Sequence, residues 1–599
     1  MWKAGRPRRR LLALFIGCAL LMVAVVARVG MLQTVDQKRL AAEGESQRLS
    51  NVTLTAPRGA IFDRSGFELA LSIPQTTLWA DPRAVVDKAR TAASLASALG
   101  LNAEQTADIQ QRLESDNEFV YIARQIDDAT AERVSGLKLK GVYQYNEPKR
   151  FYPAGDLAKG VLGVTDTDGQ GTAGLEEQLD TTLTGEPGEL IREMDQQGRS
   201  IPSGQNQLIP ATPGNDLVLT IDKTLQFSTE ELLKQQVASL GAAGGRAVVM
   251  DTASGDVLAM ASVDADKSTG QVAVSSANRV VTDQFEPGSV AKIVPSSAAL
   301  DLGDTTPDTY WHVTGVHKSD VFEIEDVEQH GNVDLTTTQI IAVSSNIGAV
   351  LIGQRVGADN MEKYLRAYGF GQPTGLGLPN ETAGTLTPAK DWSDSQRDTI
   401  NYGQGMAVSA IQVAAAMNVI ANHGTYVAPR LVDATIDKDG DRRESAPSAT
   451  HAVLKPETAA AMVPILEQVW CVGTARNAPR IEGYSVAGKT GTGYIAQNAK
   501  YMVVGADGKL REDGYKDAHG QRHYNATFAG FLPAENPKIT ILVTIIDPPG
   551  DTATAPRPHF GGNAAAPVFS GIAHEALQQL QIPPSANGGA CPPSPQGSG

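Results

Sequence analysis

Seventeen consecutive residues, Leu11 to Ala27 (LLALFIGCALLMVAVVA), carry no charge. A helix needs about 20 apolar residues to cross the hydrocarbon core of a bilayer. Arg28 can snorkel to the far interface, so Leu11 to Leu32 is long enough to span. Arg8, Arg9 and Arg10 precede the run, and such clusters stay on the cytoplasmic side. This predicts a cytoplasmic tail (1–10), a transmembrane helix (11–32) and a body outside the cell membrane. A cleaved signal peptide has the same charge pattern, but the run is long and no A-x-A site closes it. Cys18, preceded by Phe15-Ile-Gly17, is a loose lipobox with too short an apolar stretch before it. A single-pass anchor retained in the cell membrane is the expectation. The first 28 residues hold six basic side chains and no acid, yet the whole chain of 599 residues carries −16. The body is therefore strongly acidic, which disfavours nucleic acid as a partner.

Beyond the anchor, residues 33–56 are polar and read as a stalk. Residues 57–215 are punctuated by Gly and Pro around helical stretches between 84 and 140, and the IPATPGN segment (209–215) reads as a boundary. From 216 to 582 the texture changes. LVLTI (217–221) alternates like a strand, Thr224 to Leu240 repeats like a helix, and RAVVMDTASGDVLAMAS (246–262) reads as a hairpin. Strands return near 483–492 and 526–547 after a helical middle. The expected fold is α+β, an antiparallel sheet closed from both ends with helices on both faces. Residues 583–599 are rich in Pro, Gly and Ser and are expected to be a disordered tail. Two charged loops, 436–446 and 498–523, stand out. Cys471 and Cys591 lie in the exported body, where a disulfide is permitted. A bridge between them and two unpaired thiols both remain open. With no C-x-x-C pair, neither a metal nor a cofactor is expected.

Three short motifs carry chemistry. Ser289-Val-Ala-Lys292 follows the Pro287-Gly288 turn and opens a predicted helix near Ser289. Residues three apart share a helical face, so the lysine amine can sit beside the serine hydroxyl. A serine needs a base to become a nucleophile, and a buried lysine with a depressed pKa can serve. Ser344-Ser345-Asn346 offers a hydroxyl to relay a proton and a carboxamide to hold a substrate amide. Lys489-Thr490-Gly491-Thr492 follows the strand-like Tyr484–Ala487. There Gly491 is expected to let a substrate backbone lie alongside as an added strand, Lys489 to meet a substrate carboxylate, and Thr490 and Thr492 to supply hydroxyls. S-x-x-K alone is weak; the three motifs in this order point to active-site serine acyl transfer.

The chain resembles the class B penicillin-binding proteins, most of all the FtsI-type septal transpeptidases of actinobacteria. RGAIFDRSGFELALS (58–72) resembles their N-terminal signature, through Arg58, Gly59, Asp63, Arg64 and Gly66. RFYPAGDLAKGVLG (150–163), GLEEQLDTTLTGEPG (174–188), NRVVTDQFEPGSVAK (278–292), NYGQGMAVSAIQVAAAMNVIANHG (401–424) and HFGGNAAAPVF (559–569) extend the likeness over nearly the whole exported region. The resemblance implies a dimerisation-type pedestal at 57–215 and a transpeptidase domain at 216–582. It implies Ser289 as the acylated nucleophile, Lys292 as its base, Ser344 as proton relay and Asn346 as amide binder. Lys489, Thr490, Gly491 and Thr492 would form the donor-binding strand, with the backbone N–H groups of Ser289 and Thr492 as oxyanion hole. Implied partners are peptidoglycan stem peptides ending in D-Ala-D-Ala, β-lactams at Ser289, and a SEDS-family glycosyltransferase with other divisome membrane proteins. Two positions depart from the pattern. Ser409 stands where Thr is usual, and Gly493 stands where Ala or Ser is common, which is expected to loosen that strand.

The competing readings are an elongation-specific relative, a D,D-carboxypeptidase or β-lactamase, a β-lactam sensor and an idle scaffold. No E-x-x-x-N segment of class A β-lactamases follows Ser344-Ser345-Asn346, nor is the E-D-x-x-F-x-x-H-G segment of a glycosyltransferase found. A sensor would need a cytoplasmic output module, for which the short tail leaves no room. An idle scaffold has no need of both Lys292 and Lys489. Gly169-x-Gly171-x-x-Gly174 imitates a dinucleotide fingerprint but lacks the βαβ repeat that would follow one. His519 and His523 lie in a polar loop, a poor setting for a metal.

Overall fold

The apolar run forms one helix, α1 (Pro7–Thr34), without a buried residue. Among the described residues it is the one helix long and apolar enough to cross a membrane. It is longer than the expected 11–32 because Arg8, Arg9 and Arg10 continue the helical turn instead of forming a separate tail. This computed structural model describes residues 7–34, 48–193, 201, 206–319, 323–497, 502–504, 510–512, 514–550 and 557–593. Residues 1–6 of the expected cytoplasmic tail and 35–47 of the expected stalk lie outside the described residues.

Packing separates two units. One takes the residues up to 57 together with 185–214; the other takes 58–184 with 215 onward. In the first, the end of the expected stalk is a strand. Leu49–Leu54 pairs antiparallel with Gly188–Glu193, which pairs in turn with Asn206–Ile209. The expected 57–215 pedestal is thus divided, its last thirty residues joining the stalk strand.

The second unit begins with β1 (Ile61–Phe62), β2 (Glu68–Ala80), β3 (Val120–Ile126) and β4 (Val142–Phe151), with β2 paired to all three. Helices Lys88–Leu99 and Ala103–Glu114 cover part of this sheet. Leu95, Ile109 and Leu113 meet Leu78, Val120 and Ile122 in a small core of their own. Asn102 and Gln105 close a capping box at the second helix, satisfying donors that a helix start leaves free.

After β5 (Asp216–Leu219), α2 (Lys223–Leu240) leads into the hairpin β6 (Gly244–Asp251) and β7 (Val257–Ala265), extended by β8 (Val272–Val274). Helices α3 (Ile293–Leu302), α4 (Thr337–Val343), α5 (Asn346–Val356) and α6 (Ala410–Ala421) follow. Strands β9 (Val432–Ile436) and β10 (Arg442–Glu444) precede α7 (Pro456–Cys471). Then come β11 (Ala487–Tyr494), β12 (Tyr524–Leu532), β13 (Ile539–Ile546) and α8 (Ala566–Gln579). β5 lies parallel to β1 and antiparallel to β9. One sheet is therefore built from both sides of the expected 215/216 boundary, and the charged 436–446 loop is the β9–β10 hairpin.

The second sheet has the order β8-β7-β6-β13-β12-β11, antiparallel throughout. Its two faces follow from the period of two. Gly245 approaches Leu233 and Val237 of α2. Thr540 stands opposite Met250, hence on the other face, and donates to Asn418 of α6 at 2.7 Å. Every residue of α6 is buried, as a helix apolar all round must be.

The expected disordered tail requires correction. Cys591 is disulfide-bonded to Cys471 at the end of α7. The Ser585 N–H donates to Gly483 O at 2.9 Å, and Gln468 Nε2 donates to Pro592 O at 3.1 Å. The composition of 583–593 suits a loop, but the cross-link and these bonds hold it in place. Residues 594–599 lie outside the described residues.

The N-terminal signature has a structural task. Arg58 and Arg150 each donate to Glu176, at 2.6 Å in both cases, and Arg58 also reaches Asp180 at 2.7 Å. Glu176 is fully buried. The glycines of the imitation fingerprint form a turn closed by a Thr165–Gly171 bridge, and Gly169 O accepts from Arg58. Glu176→Ala would leave two guanidinium groups without their shared carboxylate. Removing one partner of a buried pair costs about 3–5 kcal/mol. A markedly lower melting temperature of the purified chain is expected; an unchanged one would contradict this role.

Candidate active site

The nucleophile motif sits on a tight turn. Phe285 and Val408 exchange two backbone hydrogen bonds at 2.9 Å, and the Gly288 N–H donates to Gly403 O at 3.0 Å. Gly288–Lys292 is a 3-10 helix that becomes α3 at Ile293. The expected helix start is present, but wound at three residues per turn. In that geometry residues i and i+3 eclipse, which stacks Ser289 and Lys292 more directly than an α-helix would. Ser289 is partly exposed and Lys292 fully buried.

The Lys292 amine faces the second motif. It donates to Ser344 O at 2.6 Å and Asn346 Oδ1 at 2.8 Å, with Ser344 Oγ at 3.3 Å. Among the described residues, no hydrogen bond joins it to Ser289; such contacts often tighten only with substrate bound. Burial pushes the Lys292 ammonium down to about 7, against a smaller upward pull from Asp326. A neutral amine has two N–H donors and one lone pair. Ser344 O and Asn346 Oδ1 suffice for the donors, which leaves the lone pair for a proton. Ser344 ends α4 in the left-handed region, at φ 64°. That conformation is uncommon outside glycine, and it brings both its carbonyl and hydroxyl to the lysines.

Lys489 approaches the same hydroxyl from the sheet. Its Nζ lies 2.8 Å from Ser344 Oγ and 3.0 Å from Thr490 O, fully buried. Burial holds it well below the usual ammonium range, with Lys292 a further cause. The expected strand Tyr484–Ala487 in fact begins at Ala487 and runs through the motif itself. β11 is the edge of its sheet. Thr490 Oγ1 is 2.6 Å from Thr474 Oγ1, and Thr492 is partly exposed.

The glycines of this strand do something other than expected. A Cβ on Gly491 would lie 2.7 Å from Val290 Cγ2 and 2.8 Å from Pro287 O. The space it leaves is filled by the nucleophile turn rather than by substrate. A Cβ on Gly493 would lie 2.1 Å from Glu286 O. The departure at 493 therefore permits a close approach of strand and turn instead of loosening the strand. Ser409, the other departure, caps α6 in a capping box with Gln412.

Several residues here carry no motif. Asp326 accepts from the Asn346 and Ile347 N–H groups at 2.5 and 3.1 Å. Glu286 Oε1 accepts from the Gly405 N–H and the Tyr515 hydroxyl, both at 2.9 Å, and burial pushes its carboxyl up. Tyr515 belongs to the long segment after β11, so that segment touches the nucleophile turn; residues 498–501, 505–509 and 513 of it lie outside the described residues. His523 pairs with Asp547 at 2.8 Å. Gly491→Ala should push the turn away from β11. A displacement of about 1 Å can cost about 100-fold in rate. Penicillin acylation slowed by that order is expected, and normal acylation would contradict the packing argument.

Comparison with known proteins supplies the family. Residues 245–574 match the penicillin-binding protein transpeptidase domain, and residues 53–219 match the penicillin-binding protein dimerisation domain. The chain is 32% identical to penicillin-binding protein PbpB of Mycobacterium tuberculosis, covering 95% of this chain and 84% of that one. It is 31% identical to peptidoglycan D,D-transpeptidase FtsI of Escherichia coli, covering 96% and 92%. Among solved structures, it is similar to a peptidoglycan synthetase from Bifidobacterium adolescentis (TM-score 0.69, 29% identity, 90% and 98% covered). It is also similar to penicillin-binding protein 3 from Mycobacterium tuberculosis complexed with ampicillin (TM-score 0.65, 29% identity, 90% and 99% covered). The two matched domains in this order, with an N-terminal apolar helix and relatives over nearly the full length, make the chain a member of the class B penicillin-binding proteins.

Proposed function

We propose that this chain is a membrane-anchored peptidoglycan D,D-transpeptidase of the division septum. The observation that carries the reading is the buried Lys292 amine, one 3-10 turn from Ser289 and bonded to Ser344 and Asn346. Lys489 and the hydroxyls of Thr490 and Thr492 hold the terminal carboxylate of a stem peptide ending in D-Ala-D-Ala. The edge of β11 takes the donor backbone as an added strand, and Asn346 holds its amide. Ser289 Oγ attacks the penultimate carbonyl while Lys292 takes its proton. The backbone N–H groups of Ser289 and Thr492 stabilise the oxyanion. Ser344 passes the proton to the leaving nitrogen, and D-Ala departs from an ester on Ser289. The amine of a neighbouring stem then attacks the ester, forms the crosslink and restores the hydroxyl. A β-lactam acylates the same oxygen by opening its ring, and its leaving nitrogen stays attached.

The division role rests on the FtsI name of a relative aligned over 96% of the chain. Arg8, Arg9 and Arg10 at the start of α1 support a cytoplasmic N-terminus by the positive-inside rule, with the catalytic domain outside. Residues 57–215 would serve as pedestal and 216–582 as transpeptidase domain. The reading includes no glycan polymerisation, so a SEDS-family glycosyltransferase and other divisome membrane proteins are the expected partners.

A fluorescent penicillin should label the protein, and Ser289→Ala should abolish the label; persistence on that variant would refute the nucleophile. Lys292→Ala should fold normally and acylate slower by several orders of magnitude, and near-normal acylation would exclude it as the base. The sign of the pH effect follows from the depressed lysine. Only the neutral amine accepts a proton, so acylation should rise with pH through about 7 and not near an ordinary lysine value. Depletion in the host should give filaments or chained cells; rounded cells would favour elongation instead.

A further inference from the structure

The segment between Ile324 and Val333 holds a carboxylate that none of the three motifs includes. Asp326 is almost buried, its side chain 9% exposed. One oxygen, Oδ1, accepts from the first two backbone N–H groups of α5, those of Asn346 and Ile347. Ser345 caps the same helix by accepting from the Gly348 N–H at 2.9 Å. The backbone beside Asp326 fixes the other end of Asn346, whose Nδ2 donates to Glu325 O at 3.1 Å. The amide oxygen of Asn346 is thereby turned to Lys292.

The second carboxylate oxygen belongs to His330. His330 Nε2 lies 3.1 Å from Asp326 Oδ2, and Nδ1 lies 2.5 Å from Gly331 O. Both partners are acceptors, and a neutral imidazole can donate to only one. The geometry suits an imidazolium, and the same two contacts push His330 up from its usual value.

We infer that Asp326, oriented by His330, is a positioning residue for acyl transfer: it fixes the Ser344–Asn346 turn and sets the charge that Lys292 experiences. This rests on the reading of Lys292 as the base. Among the described residues, the charged groups near this turn are few. Lys489 meets the same Ser344 hydroxyl from β11, and Asp326, paired with His330, holds the backbone of Asn346, which bonds the amine. Glu325 is exposed and contributes its carbonyl, while Glu328 pairs with Arg557 at 3.2 Å. Asp326 reaches Lys292 through Asn346, from whose N–H it accepts and whose amide oxygen meets the amine; its charge favours the ammonium form against burial, and His330 beside it offsets that charge. The signs are opposite. Neutralising Asp326 should make Lys292 easier to deprotonate, and removing the His330 cation should make it harder.

The test is the pH profile of acylation by a fluorescent penicillin, run on the full chain in detergent. The comparison set is Asp326→Asn, Asp326→Glu, His330→Gln and the Ser289→Ala control. Removing an opposite charge lowers the pKa of an amine whose charged form it had favoured. Asp326→Asn should therefore move the midpoint of the rising limb down, besides slowing acylation. His330→Gln should move it up, and Asp326→Glu should keep the original midpoint while slowing the rate. A cap with no effect on the base would lower the rate at every pH and leave the midpoint unmoved, which would overturn the inference. Where Asp326→Asn fails to fold, as its melting curve would show, His330→Gln decides: an upward shift supports the inference and an unmoved midpoint overturns it. Label retained by Ser289→Ala would instead mark failure of the site assignment, and the inference would fall with it.

Discussion

Everything proposed for this site depends on one buried amine. Lys292 is enclosed on a 3-10 turn, and among the described residues its hydrogen-bond partners are neutral, the carbonyl and hydroxyl of Ser344 and the amide oxygen of Asn346. Taking an ammonium out of water disfavours its charged form. Across Ser344, Lys489 is held low by burial and by Lys292. Two lysines packed against one serine hydroxyl form an arrangement that favours the loss of a proton, which is the condition for a lysine to act as a base near neutral pH.

The surrounding fold maintains that enclosure. The antiparallel sheet is assembled from both ends of the catalytic region, so β11 reaches the nucleophile turn as an edge strand backed by β12 and β13. Glycine at 491 and 493 lets the two backbones approach more closely than any Cβ would allow. On the opposite side, α5 begins at Asn346, and its first N–H groups are held by Asp326 and Ser345. The long segment after β11 closes on the flank of the turn through Tyr515 and Glu286. The disulfide from Cys471 ties the chain beyond α8 to the end of α7.

Local patterns in the chain already reveal much of this. The uncharged run foretells α1, the alternation in 246–262 foretells the β6–β7 hairpin, and the three motifs name the residues that meet around Ser344. Contacts between distant segments are less legible. Asp326 lies twenty residues before the backbone it caps, and no motif marks it. Glu286 is adjacent to the nucleophile motif, but its partner Tyr515 lies beyond an insertion. The roles of Gly491 and Gly493 depend on how β11 packs against the turn, which no spacing reveals. The tail misleads through composition, since Pro, Gly and Ser suit a pinned loop as well as a disordered one. The pairing of β1 with β5 across 215/216 is likewise invisible in the local pattern.

The central claim is that about half of the Lys292 amine is neutral, and so able to accept a proton, near pH 7. It can be tested directly by selective isotope labelling of lysine side chains and an NMR titration, with Lys292→Arg used to assign the resonance. The account predicts a side-chain signal with a midpoint at about 7. A Lys292 signal that titrates near the ordinary lysine value of about 10.4 would contradict it.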